Sequence, residues 1–93
     1  MNMIITADNR IKKNVRPLNG KDFSLAELQT IVKGYIEIVE LGNGYILVCN
    51  EEAKLLGQKI NMTATTLAYT SKAIAPFDCI NGDVLLCKSE LVK

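Results

Sequence analysis

Residues 24–61 constrain the fold of this 93-residue chain more than any other segment. Ser24 is a preferred helix N-cap, and Glu27, three residues later, completes the pattern of a capping box. Apolar residues at helical spacing follow the cap, and Gly34 is typical of a residue that ends a helix. The sequence therefore predicts a helix over residues 25–33.

Two apolar segments separated by glycines predict a β-hairpin directly after this helix. We expect its strands over residues 35–41 and 45–49, joined by a loop of two or three residues. Asn43-Gly44 favours a type I′ turn, in which both central residues need a positive φ. The second strand is apolar at every position, which is typical of a central strand covered on both faces.

The remaining segments complete the prediction of a small α+β domain. Further strands are expected over residues 2–7, 12–17 and 83–88, and further short helices over residues 51–56 and 62–69. Residues 70–78 are expected to form a loop and residues 89–93 to fray. This order predicts a single domain over residues 1–93. It would have a small, mostly antiparallel sheet of about five strands, with two or three short helices packed on it.

The composition argues against several classes of enzyme. Histidine is absent, which removes Ser-His-Asp and Cys-His catalysis and zinc sites with histidine ligands. The three cysteines, Cys49, Cys79 and Cys87, are odd in number and form no C-x-x-C pair, so we expect reduced thiols. Cys79 stands beside loop residues but has no histidine to activate it. We therefore expect no catalytic activity, no metal site and no cofactor.

Charge and hydropathy indicate where the chain works. The net charge of +1 gives no general attraction to membranes or to nucleic acid, so nucleic acid is not the expected partner. The apolar runs are far shorter than the roughly 20 residues of a membrane span. The N-terminal segment lacks the pattern of a secretory signal. We expect a cytoplasmic protein, in the host cytoplasm if a phage encodes it, with no membrane contact.

The most basic patch of the sequence lies in its first strands. It consists of Arg10, Lys12, Lys13 and Arg16. Such a patch can contact phosphates, but no aromatic residues are interleaved with these charges. A solvated edge strand, protected from aggregation by its lysines, is the favoured interpretation.

Four motifs occur in a characteristic order along the chain. They are GYIE at residues 34–37, CNEEAKLLG at residues 49–57, Asn61 followed by AT at residues 64–65, and INGDVLL at residues 80–86. Over residues 24–88 this series resembles domain-of-unknown-function family 3846, whose pattern runs helix, GGYIE, hairpin, NEEGKLKGLPxN, AT and IxGDVL. Lys33 stands where that pattern usually has a glycine, and Ala53 stands where a glycine is common.

The resemblance implies a fold and a genetic setting but no reaction. Members of this family look like small proteins of phages and conjugative elements, or modules of longer mobile-element polypeptides beside anti-restriction domains.

Polar and aromatic residues near the starts of the two later helices are the candidate ligand contacts. They are Tyr35, Asn50, Glu51, Lys54, Asn61, Thr63 and Thr65. Helix N-termini bind phosphate and other anions, tyrosine can stack on a base, and lysine pairs with phosphate. The alternative is that the asparagines are only helix caps, that Lys54 is solvated, and that the threonines satisfy local backbone groups.

These observations lead to two expectations about function. The first is a non-enzymatic accessory protein of a phage or mobile element, which counters host defence by sequestering a small nucleotide-type signal and works as a homo-oligomer. The second is a protein- or nucleic-acid-binding inhibitor or accessory domain without a small ligand, whose partner would be a host defence protein.

Overall fold

The computed structural model describes residues 2–92 and contains one antiparallel sheet with a helix on each face. The strands are β1 (Met3–Ile5), β2 (Ile11–Lys13), β3 (Ile36–Glu40), β4 (Tyr45–Asn50) and β5 (Val84–Lys88). The helices are α1 (Leu25–Val32) and α2 (Met62–Thr70), and a 3-10 turn (Ser89–Leu91) follows β5. The strands lie in the order β2-β1-β5-β4-β3, and each neighbouring pair is antiparallel. The predicted α+β fold is confirmed, with two helices.

β4 is the most completely buried strand because its side chains alternate between two hydrophobic clusters. Ile46 and Val48 pack in one cluster with apolar side chains of α1. Leu47 and Cys49 pack in the other with the buried alanines of α2. Burying each large aliphatic side chain stabilises the fold by roughly 1.5–3 kcal/mol. The prediction of a central strand covered on both faces is confirmed.

The capping box that begins α1 is present as predicted. The Ser24 hydroxyl accepts from the Glu27 N–H at 3.1 Å, and the Glu27 carboxylate accepts from the Ser24 N–H at 2.9 Å. At the other end of the helix, the left-handed residue is Lys33, with φ 65°. The prediction that Gly34 ends the helix in this role is wrong by one residue. Its N–H donates to the carbonyl oxygen of Gln29 at 3.1 Å.

The helix predicted over residues 51–56 is wrong, because residues 51–57 form successive turns. Asn50 belongs to β4, so the chain enters this segment from an extended strand. Within the segment only Ala53 is buried. Short helices are stabilised mainly by packing of an apolar face, and one alanine offers too little of it.

The hairpin loop and the ends of the short strands also differ from prediction. Gly42 and Gly44 have φ of 81° and 86°, whereas Asn43 has none of the positive φ of a type I′ turn. The loop is therefore the three-residue alternative. β1 and β2 are shorter than predicted: β1 ends at Ile5, and β2 ends at Lys13 because Asn14 takes a left-handed conformation with φ of 59°.

The C-terminal segment is held in place, so the predicted fraying is wrong for residues 89–92. The N–H of Phe23 donates to the carbonyl oxygen of Leu91 at 2.8 Å, and Phe23 forms a parallel bridge with Val92. Residues 1 and 93, the ends of the predicted single domain, lie outside the described residues. None of the described helices is long and apolar enough to cross a membrane.

Candidate ligand-binding site

Asn50, one of the predicted ligand contacts, joins the end of β4 to the end of α1. Its Nδ2 donates to the carbonyl oxygens of Val32 at 3.0 Å and Lys33 at 3.3 Å, and its Oδ1 accepts from the Glu52 N–H at 2.7 Å. Gly34 gives this side chain its room, since a Cβ there would lie 2.8 Å from Nδ2. The buried amide therefore satisfies backbone groups that a helix end and a turn would otherwise leave unpaired.

Asn61, the second buried asparagine, caps α2 and ties it to the sheet. Its Oδ1 accepts from the Ala64 N–H at 3.0 Å. Its Nδ2 donates to the carbonyl oxygens of Ile5 and Gly82, both at 2.9 Å. The side chain is fully buried, so its amide is engaged within the fold.

The remaining predicted contacts, Thr65 and Thr63 on α2 and Tyr35 before β3, belong to separate parts of the fold. The Thr65 hydroxyl accepts from the Ile80 N–H at 2.9 Å and joins α2 to the segment before β5. Thr63 is half-buried in the first turn of the helix. Tyr35 is exposed, and its carbonyl oxygen accepts from the Glu51 N–H at 2.9 Å.

Three of the seven predicted contacts line one cavity of about 230 Å³. They are Asn50, Glu51 and Lys54, and the other charged residues in the lining are Glu37 and Asp78. The Lys54 ammonium donates to the Asp78 carboxylate, and this bond raises the pKa of Lys54 and lowers the pKa of Asp78. With its lysine paired, this cavity carries an excess of negative charge, which disfavours a phosphate.

A larger cavity of about 450 Å³ lies where the β1–β2 turn, the end of α1, residues 57–59 and the start of β5 meet. Three cationic side chains line it: Arg10, Lys33 and Lys59. None of the seven predicted contacts is among its lining residues. Its volume falls in the range of about 300–1,000 Å³ that is typical of small-molecule sites. We call it the cationic cavity.

Two carboxylates neutralise part of the charge of the cationic cavity. Lys33 Nζ lies 3.2 Å from Asp83 Oδ2, and Arg10 Nε lies 3.5 Å from Asp8 Oδ2. A hydrogen bond from the Thr6 hydroxyl, assisted by the charge of Arg10, lowers the pKa of Asp8. The Asp8 carboxylate therefore remains charged at neutral pH, and the two ion pairs offset part of the positive charge of the cavity.

Lys59 supplies the surplus positive charge. Its ammonium forms no ion pair within residues 2–92, and its carbonyl oxygen accepts from the Gly82 N–H at 2.8 Å. Gly82 has φ 80°, and a Cβ there would lie 2.0 Å from Gln58 Oε1. The positive φ favours glycine in this part of the cavity wall, whereas Gln58 Oε1 is the end of a flexible side chain that can move away.

The environments of the three thiols are typical of side chains that contribute to packing. Burial raises the pKa of Cys49 to about 12 and that of Cys87 to about 11, so both remain protonated at neutral pH. Cys79 is half-buried, and its Sγ lies 3.2 Å from Asn81 Oδ1. Among residues 2–92, no three acidic or thiol side chains converge to hold a metal ion.

Comparison with known proteins identifies a family. No curated protein and no solved structure matches the chain. The model of one family, described as a domain of unknown function (DUF3846), matches residues 1–91. This match extends beyond residues 24–88, over which the motifs resemble that family, and includes β1 and β2. The chain is therefore a member of the DUF3846 family.

Proposed function

We propose that this protein is a non-enzymatic binding protein that sequesters a small nucleotide-type anion in the cationic cavity. The main supporting observation is that Arg10, Lys33 and Lys59 line one cavity. Among the described residues, Lys59 has no carboxylate partner. Arginine offers a planar fork of donors to a phosphate, and lysine offers a compact charge.

We also propose that a phage or another mobile element encodes this binding protein. The motifs resemble those of small phage and mobile-element proteins, and such elements gain from removing a nucleotide signal that activates host defence. Sequestration needs a site and no reaction, which fits a chain without histidine. The protein would then act in the host cytoplasm.

Isothermal titration calorimetry against linear, cyclic and ADP-ribose-derived nucleotides tests the proposal. At least one nucleotide is expected to bind. The double variant Arg10→Ala/Lys59→Ala is expected to weaken binding about tenfold or more, because charge-assisted hydrogen bonds contribute roughly 1.5–3 kcal/mol each. Lys21→Ala/Lys72→Ala is the matched control, since it also removes two cations and both residues are exposed and do not line the cavity. Absence of binding across the panel removes the proposal.

A mass measurement separates binding from catalysis. The nucleotide that binds is incubated with the protein, and its mass is then determined after the protein is denatured. We expect the nucleotide to be recovered unchanged. A product that forms with the wild type and not with Arg10→Ala/Lys59→Ala would make the cavity an active site.

A protein-binding role is the second candidate, and exposed apolar side chains favour it. Phe77 is 93% exposed, and Leu55 and Tyr69 are also exposed close to the Lys54–Asp78 ion pair. Large exposed aromatic residues are frequent anchors at protein interfaces. Copurification of a defined host defence protein with the wild type, but not with Phe77→Ser, would support this role. Equal recovery with both would count against it.

A further inference from the structure

β3 leaves one row of backbone groups open at the edge of the sheet. Within residues 2–92 no strand pairs with the outer side of β3. The Leu41 N–H donates to the Tyr45 carbonyl oxygen, and the Glu51 N–H donates to the Tyr35 carbonyl oxygen. The odd-numbered residues along this segment therefore bond to the β4 side. Because hydrogen-bonded and non-hydrogen-bonded pairs alternate in an antiparallel ladder, the even-numbered residues direct their N–H and C=O groups outward.

The residues of β3 whose backbone groups point outward can pair with the same residues of a second copy of the chain. They are Ile36, Ile38 and Glu40. When a second copy pairs antiparallel about Ile38, the two Ile38 residues face each other and Ile36 faces Glu40. This register pairs all five residues of the strand, and each outward-directed residue exchanges two backbone hydrogen bonds with its opposite number.

The same register keeps like charges from facing each other. Glu37 lies opposite Val39 of the second copy, and Glu40 lies opposite Ile36. A register centred on Glu37 would place two carboxylates directly opposite, which destabilises a strand pair. A register centred on Val39 would extend the pairing past the end of the strand and lose one outward-directed pair. Charge and strand length therefore select Ile38 as the centre.

The opposite edge of the sheet lacks these properties. β2 has only three residues, and two of them are Lys12 and Lys13. Short, lysine-bearing edge strands resist pairing with another chain. The two edges therefore differ, and β3 is the longer and more apolar one.

We propose that β3 pairs with β3 of a second copy of this chain, about a two-fold axis at Ile38, to form a continuous ten-stranded sheet. This surface involves none of the lining residues of the cationic cavity. It does include Glu37 and Val39, which line the cavity beside Lys54. Dimer formation and nucleotide binding are thus separate properties, and one can fail without the other.

Sedimentation velocity over a range of concentrations tests the pairing. The wild type is expected to form dimers, and Ile38→Lys is expected to raise the dissociation constant about tenfold or more by placing two ammonium groups opposite each other. Ile11→Lys is the matched control, because Ile11 is similarly exposed but lies on β2. Circular dichroism spectra of both variants check that the fold is kept.

Disulfide trapping tests the register independently of stability. In a Cys79→Ser background, oxidation of Ile38→Cys is expected to give a covalent dimer, because opposite residues of a hydrogen-bonded pair lie about 5.5 Å apart at Cα. Ile11→Cys is expected to stay monomeric under the same conditions. A wild type that remains monomeric up to about 1 mM, or a dimer that Ile38→Lys leaves unchanged, overturns the proposal.

Discussion

Gly34 and Asn50 are in close contact. This contact explains why the motifs have a glycine and an asparagine at these two positions. The asparagine reaches the last carbonyl groups of α1 only because no side chain stands on the glycine. Its buried amide has no freedom to retreat without giving up those bonds. A glycine here is therefore required by space, whereas at Gly82 a positive φ favours it.

Gly34→Ala is expected to lower the free energy of unfolding by about 1–3 kcal/mol, the usual cost of overpacking a filled site. Urea denaturation measures this loss. In an Asn50→Ala background the same substitution should cost at least about 0.5 kcal/mol less, because the clashing atom is gone. Strictly additive losses would show that the two residues are not coupled.

Lys33 occupies a left-handed backbone conformation at the position where the family pattern usually has glycine. For a residue with a Cβ this conformation costs roughly 1–2 kcal/mol. Lys33→Gly should therefore be more stable than Lys33→Ala by about 1 kcal/mol, and the comparison removes the Asp83 ion pair from both variants. Thermal unfolding measures the difference. Lys21, whose φ is not positive, is the control position, and there the glycine variant should not be the more stable one.

The two helices begin in chemically different ways. α1 starts at an exposed capping box built from neighbouring residues. α2 starts at Asn61, which reaches across to β1 and to the start of β5. The first cap stabilises one helix, and the second also fixes that helix against the sheet.

Asn61→Ala should therefore cost more than Ser24→Ala. We expect a loss of about 1 kcal/mol for Ser24→Ala, which removes an exposed cap. We expect about 2–4 kcal/mol for Asn61→Ala, which also leaves buried backbone groups unpaired. Chemical denaturation of both variants gives the comparison. Equal losses would mean that Asn61 acts as a local cap only.

Sequence rules that involve only neighbouring residues predicted α1 and the β3–β4 hairpin. The capping box and the Asn-Gly segment indicated α1 and the hairpin without any knowledge of the rest of the chain. Residues 51–57 and α2 were decided by packing instead. The threonine-rich α2 forms because Ala64 and Ala68 pack in the core beside the sheet, whereas in residues 51–57 only Ala53 is buried.

The cationic cavity could not be predicted from the sequence for a related reason. Arg10, Lys33 and Lys59 are distant along the chain, and only the fold brings them together. The sequence marked Arg10 as part of a basic patch that can contact phosphates, and it marked Lys33 only as a departure from a glycine. For Lys33, the available signal was that a glycine position at a helix end is typical of a left-handed conformation.

The whole molecule should lose stability in alkaline solution because its buried thiols resist ionisation. The pKa of Cys49 rises from 9.0 to about 12 on burial, with a further contribution from Glu37. The unfolded chain releases this proton near pH 9 and the folded chain retains it. The stabilisation is therefore complete below pH 9 and is lost as the pH rises toward 12.

Between pH 10 and 11, the free energy of unfolding of the wild type should fall more steeply than that of Cys49→Ala, by about 1 kcal/mol per pH unit. Denaturation curves at several pH values measure both slopes. The packing loss of Cys49→Ala is present at pH 7 and does not affect the slope. Identical slopes would show that this thiol ionises equally well in the folded chain.

NMR spectroscopy tests directly whether a nucleotide binds in the cationic cavity. Backbone amide chemical shifts are recorded by NMR while the nucleotide that binds most tightly is added. We predict that the shifts change at residues 6–10, 57–59 and 82–83, which surround the cavity. Changes confined to residues 50–54, or no change with any nucleotide of the panel, would contradict the proposed site.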